Sequence, residues 1–194
     1  MQQVIGMRKK FSALEISKAV ISKRVKAGDL CIDATAGRGN DTAFLAQLTG
    51  ETGHVIAFDI QQQAVDSTLA LLCERGLSER VSVHLESHEN MDKYAAPGTV
   101  SCITFNLGWL PGGDHSIHTG AVSSINALKK ALTLLKPGGL ISLIIYYGRD
   151  TGFEEKQQVL DFVKTIDSGE FSVIVSEFAN RPNCPPIPVF IFRE

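Results

Sequence analysis

The stretch LCIDATAGRGNDT, residues 30–42, decides how the rest of the chain is read. A short apolar run ends in Asp33, a turn containing Gly37 and Gly39 follows, and a helix is expected to start near Asn40 to Thr42. Glycines at those two places let the backbone turn tightly and approach a ligand closely, while the N-terminus of the following helix presents free N–H groups to the same space. A strand, a glycine turn and a helix in succession open a βαβ unit.

Six more apolar runs rich in β-branched residues continue the rhythm: HVIAFDI (54–60), VSVHL (81–85), VSCITFN (100–106), LISLIIYY (140–147), FSVIVSEF (171–178) and VFIFR (189–193). Helical patterns fall near 12–26, 40–48, 61–75, 119–135 and 152–166, with a short one near 88–94. LKPGG (135–139) reads as the turn before the fifth strand, and Thr151 with Glu154 has the spacing of a capping box. The alternation predicts an α/β fold, a Rossmann-like, mostly parallel seven-stranded sheet with helices on both faces. NRPNCPPIP (180–188), rich in proline, joins the last two runs without a helix, so a terminal antiparallel hairpin is expected.

With 194 residues and 44% hydrophobic content, the chain is expected to form one domain over 1–194. Its net charge of -2 is unevenly spread: Arg8, Lys9, Lys10, Lys18, Lys23, Arg24 and Lys26 face Glu15 alone over residues 1–26, giving +6 there and -8 elsewhere. A basic N-terminal segment and helix on an acidic body is able to meet a polyanion, and equally serves as a solvated helix face. Cys31, Cys73, Cys102 and Cys184 are widely spaced, without C-x-x-C, and read as reduced core thiols. Together with the lack of a signal-like or membrane-spanning apolar run, they point to a cytoplasmic protein.

In an open parallel sheet, ligands sit beyond the carboxyl ends of the strands, which directs attention to the residues that follow each run. Asp59 closes the second run, 20 residues beyond Gly39, where a carboxylate is able to accept from both hydroxyls of a ribose. A dinucleotide fingerprint needs a small third residue where Thr42 stands, and no P-loop occurs. Asp33 would repel a pyrophosphate, whereas a cofactor with a sulfonium, an ammonium and no phosphate suits nearby carboxylates. S-adenosylmethionine answers that description. His88, Glu89 and Asn90 follow the third run, at the adenine end of such a site or simply as a polar loop.

The fourth run ends in FNLGWLPGGDHS (105–116). The side-chain carbonyl of Asn106 and the backbone carbonyl of Leu107 are both able to accept from a neutral amine and aim its lone pair at a methyl carbon. Trp109 offers a face on which an unpaired base stacks, or is a core aromatic. An alkylamine must shed a proton before attack; Asp114 and His115 are candidate acceptors, and desolvation beside a sulfonium is the alternative. His115 and His118, at i, i+3 spacing and with Asp114 beside them, could mimic a metal site, but no third strong ligand follows at a diagnostic spacing, so no metal is expected. Tyr146, Tyr147 and Arg149 end the fifth run at the same edge, and Asn183, Pro185 and Pro186 form a rigid loop nearby.

DATAGRGNDT, FDIQQQA, HENMDKY, FNLGWLPGGDHSI, YYGRDTGFEEK and NCPPI together resemble the bacterial-type tRNA wobble-uridine methyltransferases, class I methyltransferases once labelled rRNA methylases. The resemblance runs over nearly the whole chain in motif order. It implies methylation of the exocyclic amine of 5-aminomethyl-(2-thio)uridine in the tRNA anticodon stem-loop, with S-adenosylmethionine as donor. It further implies cofactor contacts from Asp33, Ala34, Gly37, Gly39, Asn40, Asp41 and Thr42, from Asp59, Ile60 and Gln61, and from His88, Glu89 and Asn106. Asn106, Leu107 and Asp114 fall in the catalytic positions, and Trp109, His115, Tyr146, Tyr147, Arg149 and Asn183 in the substrate-binding ones. Four positions depart from the family pattern: Trp109 stands for tyrosine, Arg38 for asparagine, Arg149 for histidine or glycine, and Ser17-Lys18 for Ser-His. Methylation of rRNA or another amine, or an inactive RNA-binding protein of the same fold, stay open as alternatives, as does a homodimer.

Overall fold

The computed structural model describes residues 11–108 and 120–194; Trp109, Asp114, His115 and His118 lie outside them, as do Arg8, Lys9 and Lys10. Seven strands form one sheet in the order β3-β2-β1-β4-β5-β7-β6. They are β1 (Leu30–Asp33), β2 (His54–Asp59), β3 (Val81–Leu85), β4 (Val100–Leu107), β5 (Leu135–Ile145), β6 (Phe171–Val175) and β7 (Ile187–Arg193). Pairing is parallel from β3 through β5, and β7 lies antiparallel to both β5 and β6. The expected α/β plan, terminal hairpin included, is therefore the observed one. Connections from β1 run outward to β2 and β3, and the chain then returns to place β4 on the other side of β1. That reversal opens a crevice above the carboxyl ends of β1 and β4.

Among the described residues five α-helices cover the sheet: α1 (Ala13–Arg24), α2 (Asn40–Thr49), α3 (Gln62–Glu74), α4 (Ala121–Leu134) and α5 (Arg149–Val163); a 3-10 helix spans His88–Lys93. Period-two alternation sends successive strand residues to opposite faces. On one face Ile32, Phe58, Ile103, Phe105, Ile141 and Leu143 join Leu128 of α4 and Val159 of α5 in the larger core. On the other, Cys31, Val55, Cys102 and Leu140 meet Ile21 of α1, Leu45 of α2 and Leu72 of α3. Of the four cysteines, only Cys31 and Cys102 are core thiols; Cys73 is exposed on the outer face of α3 and Cys184 is half-buried in a loop, and all four are free.

Two local expectations are corrected. α5 begins at Arg149 behind Gly148, whose φ of 138° and ψ of 159° suit glycine, so Thr151 lies inside the first turn and is not the N-cap. Glu154 instead accepts from the Gln158 amide at 3.0 Å, one turn along. LKPGG is a loop-out within β5 rather than a turn ahead of it: Val100 faces Leu135, Cys102 faces Leu140, and the four residues between are extruded with Gly138 at φ 74°. A capping box does form elsewhere, where Ser12 Oγ accepts from Glu15 N–H at 3.2 Å and Glu15 reaches back to Ser12 N–H at 2.9 Å. No helix among the described residues is long and apolar enough to cross a membrane.

Candidate functional site

The crevice is built on the glycine turn. Gly37 (φ 54°) and Gly39 (φ 77°) both take left-handed backbone, and a Cβ on Gly39 would stand 2.9 Å from Thr68 Cα of α3. Only glycine fits there, because both the dihedral and the neighbouring helix exclude a side chain. Asp59, at the end of β2, ties this turn down: one carboxylate oxygen accepts from Gly37 N–H and the other from Gln61 N–H, each at 2.9 Å. Each oxygen keeps a second lone pair for a hydroxyl donor. Ile60 beside it is 58% exposed, an apolar side chain left in water next to a polar anchor.

Asp33 at the end of β1 is fully buried. Thr42 Oγ1 donates to it at 2.6 Å, Thr35 N–H at 3.2 Å and Thr104 Oγ1 at 3.3 Å. Thr42, which stands where a dinucleotide fingerprint needs a small residue, thus holds the carboxylate. Burial, and then the charge of Asp41, push the Asp33 carboxyl up to about 7 against those three donors. Its unfolded value is near 3.8, so the native state binds the extra proton between the two. The stabilisation is complete below about pH 4 and is lost as pH rises to about 7, amounting to at most about 4 kcal/mol. Urea unfolding of ligand-free protein across that range is expected to show stability falling with pH, and Asp33→Asn to flatten the slope; an equal slope in the variant would assign it to another group.

His88, in the 3-10 helix after β3, is buried, and its Nδ1–H donates to the Ala34 carbonyl at 3.1 Å. A carbonyl only accepts, so the proton sits on Nδ1 and Nε2 is an acceptor. Burial lowers the pKa of this ring, and Nε2 finds no hydrogen-bond donor among the described residues. Glu89, one residue on, turns to the surface and accepts from the Asn126 amide at 3.0 Å.

Asn106 lies near the end of β4. Its N–H donates to Thr35 Oγ1 at 2.8 Å, and its side-chain NH2 donates to Asp41 Oδ2 at 2.9 Å. The Leu107 carbonyl accepts from Tyr146 N–H at 2.9 Å, so one of its two lone pairs serves the sheet. Gly108 carries φ 137°, and a Cβ there would come within 3.0 Å of Tyr146 Cβ, so the segments leaving β4 and β5 run close together at the mouth. Tyr146 is 37% exposed. Tyr147 meets Phe153 edge-on at 5.7 Å, with Lys156 Nζ 4.3 Å above its ring. The loop from Pro182 approaches the same edge: Asn183 and Cys184 adopt φ of 66° and 51°, and Cys184 Cβ lies 4.0 Å from where a Cβ on Gly148 would stand.

Asp33, Asp59, His88 and Asn106 thus gather at one edge of the sheet, and Tyr146, Tyr147 and Asn183 stand at its β5 side; Asn40 is exposed at the first residue of α2. Sequence reasoning missed Thr35 and Thr104, whose hydroxyls anchor Asn106 and Asp33, and Phe153 with Lys156, whose spacing carries no signal of its own. Among the described residues no three His, Cys, Asp or Glu side chains gather as a metal site. The donor set suits a phosphate-free nucleoside: carboxylates for hydroxyls and cations, an exposed aliphatic side chain, and a buried imidazole acceptor awaiting an N–H.

Comparison with known proteins agrees with that chemistry. Residues 55–192 match the family described as "Putative rRNA methylase". The chloroplastic tRNA (mnm5s2U34)-methyltransferase of Arabidopsis thaliana is 38% identical, over 93% of this chain and 69% of that protein. A crystal structure from Clostridium thermocellum, named as an rRNA methylase of the same provisional kind, is 48% identical with a TM-score of 0.93, over 96% of this chain and all of the other. A methyltransferase from Streptococcus mutans, crystallised with S-adenosylhomocysteine, is 34% identical with a TM-score of 0.86, again over 96% of this chain and 100% of that one.

Proposed function

The chain belongs to the rRNA methylase family of S-adenosylmethionine-dependent methyltransferases, and from that premise we propose that its acceptor is the primary amine of 5-aminomethyl-(2-thio)uridine at the wobble position of tRNA. The observation that carries this reading is the orientation of Asn106. With its NH2 end on Asp41, the amide turns its oxygen the other way, and an oxygen suits an acceptor that brings N–H groups. The Arabidopsis relative, named for the same modification, supports the choice of tRNA.

Asp59 would hold the ribose, Ile60 would cover the adenine face, and the free Nε2 of His88 would take an N–H from the adenine side. Gly37, Gly39 and the start of α2, with Asn40, give the backbone of the pocket. Bound there, S-adenosylmethionine supplies an electrophilic methyl group on a sulfonium. Asn106 Oδ1, with the second lone pair of the Leu107 carbonyl, would accept the amine N–H bonds and so direct the nitrogen lone pair. Tyr146, Tyr147 and Phe153 offer ring faces for anticodon-loop bases, and Lys156 a charge for their phosphates. Trp109, Arg149 and His115 are proposed for the same surface and Asp114 for the departing proton, on the resemblance alone.

The test is mass spectrometry of nucleosides from hypomodified tRNA and, separately, rRNA, each incubated with protein and S-adenosylmethionine. Conversion of 5-aminomethyl-(2-thio)uridine to its methylated form in tRNA is the expected result. Methylation of rRNA with tRNA unchanged would transfer the reading to the family's older description.

A further inference from the structure

We infer that Lys18 and Asp41 form a positioning clamp which fixes the rotation of the Asn106 amide, so that its oxygen rather than its NH2 group is presented to the acceptor; the inference rests on the proposed amine reading for its kinetic consequence, though not for its geometry. Asp41 sits in the first turn of α2, and its two carboxylate oxygens are divided between two partners: Oδ2 accepts from Asn106 Nδ2 at 2.9 Å, and Oδ1 lies 3.6 Å from Lys18 Nζ. An ionised carboxylate accepts and never donates. Turning the Asn106 amide over would set oxygen against oxygen and leave the NH2 end toward the acceptor, where it has nothing to offer an amine lone pair except competition. Asp41 thereby selects one of the two amide orientations, and the N–H of Asn106 on Thr35 Oγ1 fixes the backbone from which the side chain springs.

Lys18 holds Asp41 in that place. Asp33 and Asp41 lie close together at the start of α2, where like charges repel, and after burial the charge of Asp41 is what raises the Asp33 carboxyl. The helix N-terminus and the Lys18 ammonium each offset part of that charge. Lys18 is itself placed by packing: Ser17, the preceding residue, meets Ser142 of β5 hydroxyl to hydroxyl at 2.6 Å inside the structure, Ile21 is buried one turn on, and the Lys18 ammonium lies 5.1 Å from the Phe44 ring centroid. Helix α1 is thus a brace from β5 to the glycine turn, and a chain segment that precedes β1 reaches the acceptor side of the site.

The test reads geometry and kinetics apart. In 1H–15N spectra of the protein with S-adenosylhomocysteine, the side-chain NH2 pair of Asn106 is identified by its loss in Asn106→Asp. That pair is expected to exchange slowly in the unaltered protein, to lose protection at least about tenfold in Asp41→Ala, to broaden in Lys18→Met, and to recover in Lys18→Arg. On tRNA, kcat is expected to fall about 100-fold in Asp41→Ala and about tenfold in Lys18→Met, to return within about threefold in Lys18→Arg, and the S-adenosylhomocysteine Kd of the Lys18 variants to stay within about twofold. Lys18 is one-third exposed, so its variants are expected to fold. An Asn106 pair unchanged in both Asp41→Ala and Lys18→Met would overturn the clamp, as would a lower melting temperature in Lys18→Met with kcat and the amide signal intact. Inactivity of the unaltered protein on tRNA would count against the acceptor reading alone, since the amide signal would still decide the clamp.

Discussion

Replacing Asn106 by alanine is expected to lower kcat for methyl transfer to hypomodified tRNA by about 100- to 1,000-fold while leaving the Kd for S-adenosylhomocysteine within about threefold. The size follows from what the side chain alone supplies. Thr35 holds the Asn106 backbone N–H and would still do so in the variant, so the end of β4 stays in place. What disappears is the directed oxygen proposed to orient the amine, and misorientation of a bimolecular displacement costs orders of magnitude. Asn106→Asp is the informative partner. A carboxylate next to Asp41 adds like-charge repulsion, so cofactor binding and stability should both change there, unlike in the alanine variant. Stopped-flow transfer and calorimetric titration separate the cases. Parallel loss of rate and affinity in Asn106→Ala would make the residue a structural member of β4 and nothing more.

The second large effect is expected at Asp59. Asp59→Ala should weaken S-adenosylhomocysteine binding about 100-fold or more, read by isothermal titration calorimetry, and lower the ligand-free stability by about 1–3 kcal/mol. Two N–H groups, on Gly37 and Gln61, lose a charged acceptor, and the glycine turn loses its tie to β2. Asp59→Asn should be milder in affinity, because one carbonyl oxygen still accepts, but should release one of the two N–H groups. A Kd within about threefold in the alanine variant would move the ribose away from Asp59.

The architecture was legible because its signals are local and repeated. All seven apolar runs became strands, with ends moved by a few residues, and the proline-rich NRPNCPPIP joined the antiparallel pair as expected. Asp33, Gly37, Gly39 and Asp59 converge because each follows or closes a strand, a place that topology makes functional. What stayed illegible depends on contacts distant in sequence. Nothing near Lys18 announces Asp41, and nothing near Thr35 announces Asn106 71 residues away. Thr151 shows the opposite failure: a correct capping spacing lost to Gly148, whose backbone freedom starts the helix earlier. Leu107 shows a third, since a backbone carbonyl carries no label saying that the sheet already uses it.

The place of β7 has a consequence for how the protein is made. Made after β6, it lies between β5 and β6 and, among the described residues, is the only strand that β6 pairs with. Until β7 leaves the ribosome, the outer edge of Leu140–Ile145 has no neighbour, and that edge reads LISLII, short, apolar and uncharged. Such an edge is a template for association with another nascent chain. At ~5–20 residues per second the exposed interval lasts roughly a few seconds. During it, α1 on Ser142 and α4 with α5 on the opposite face cover the two faces of the strand but not that edge. Chaperone demand should therefore be greatest between the making of β5 and that of β7, when β1 to β5 can already pair.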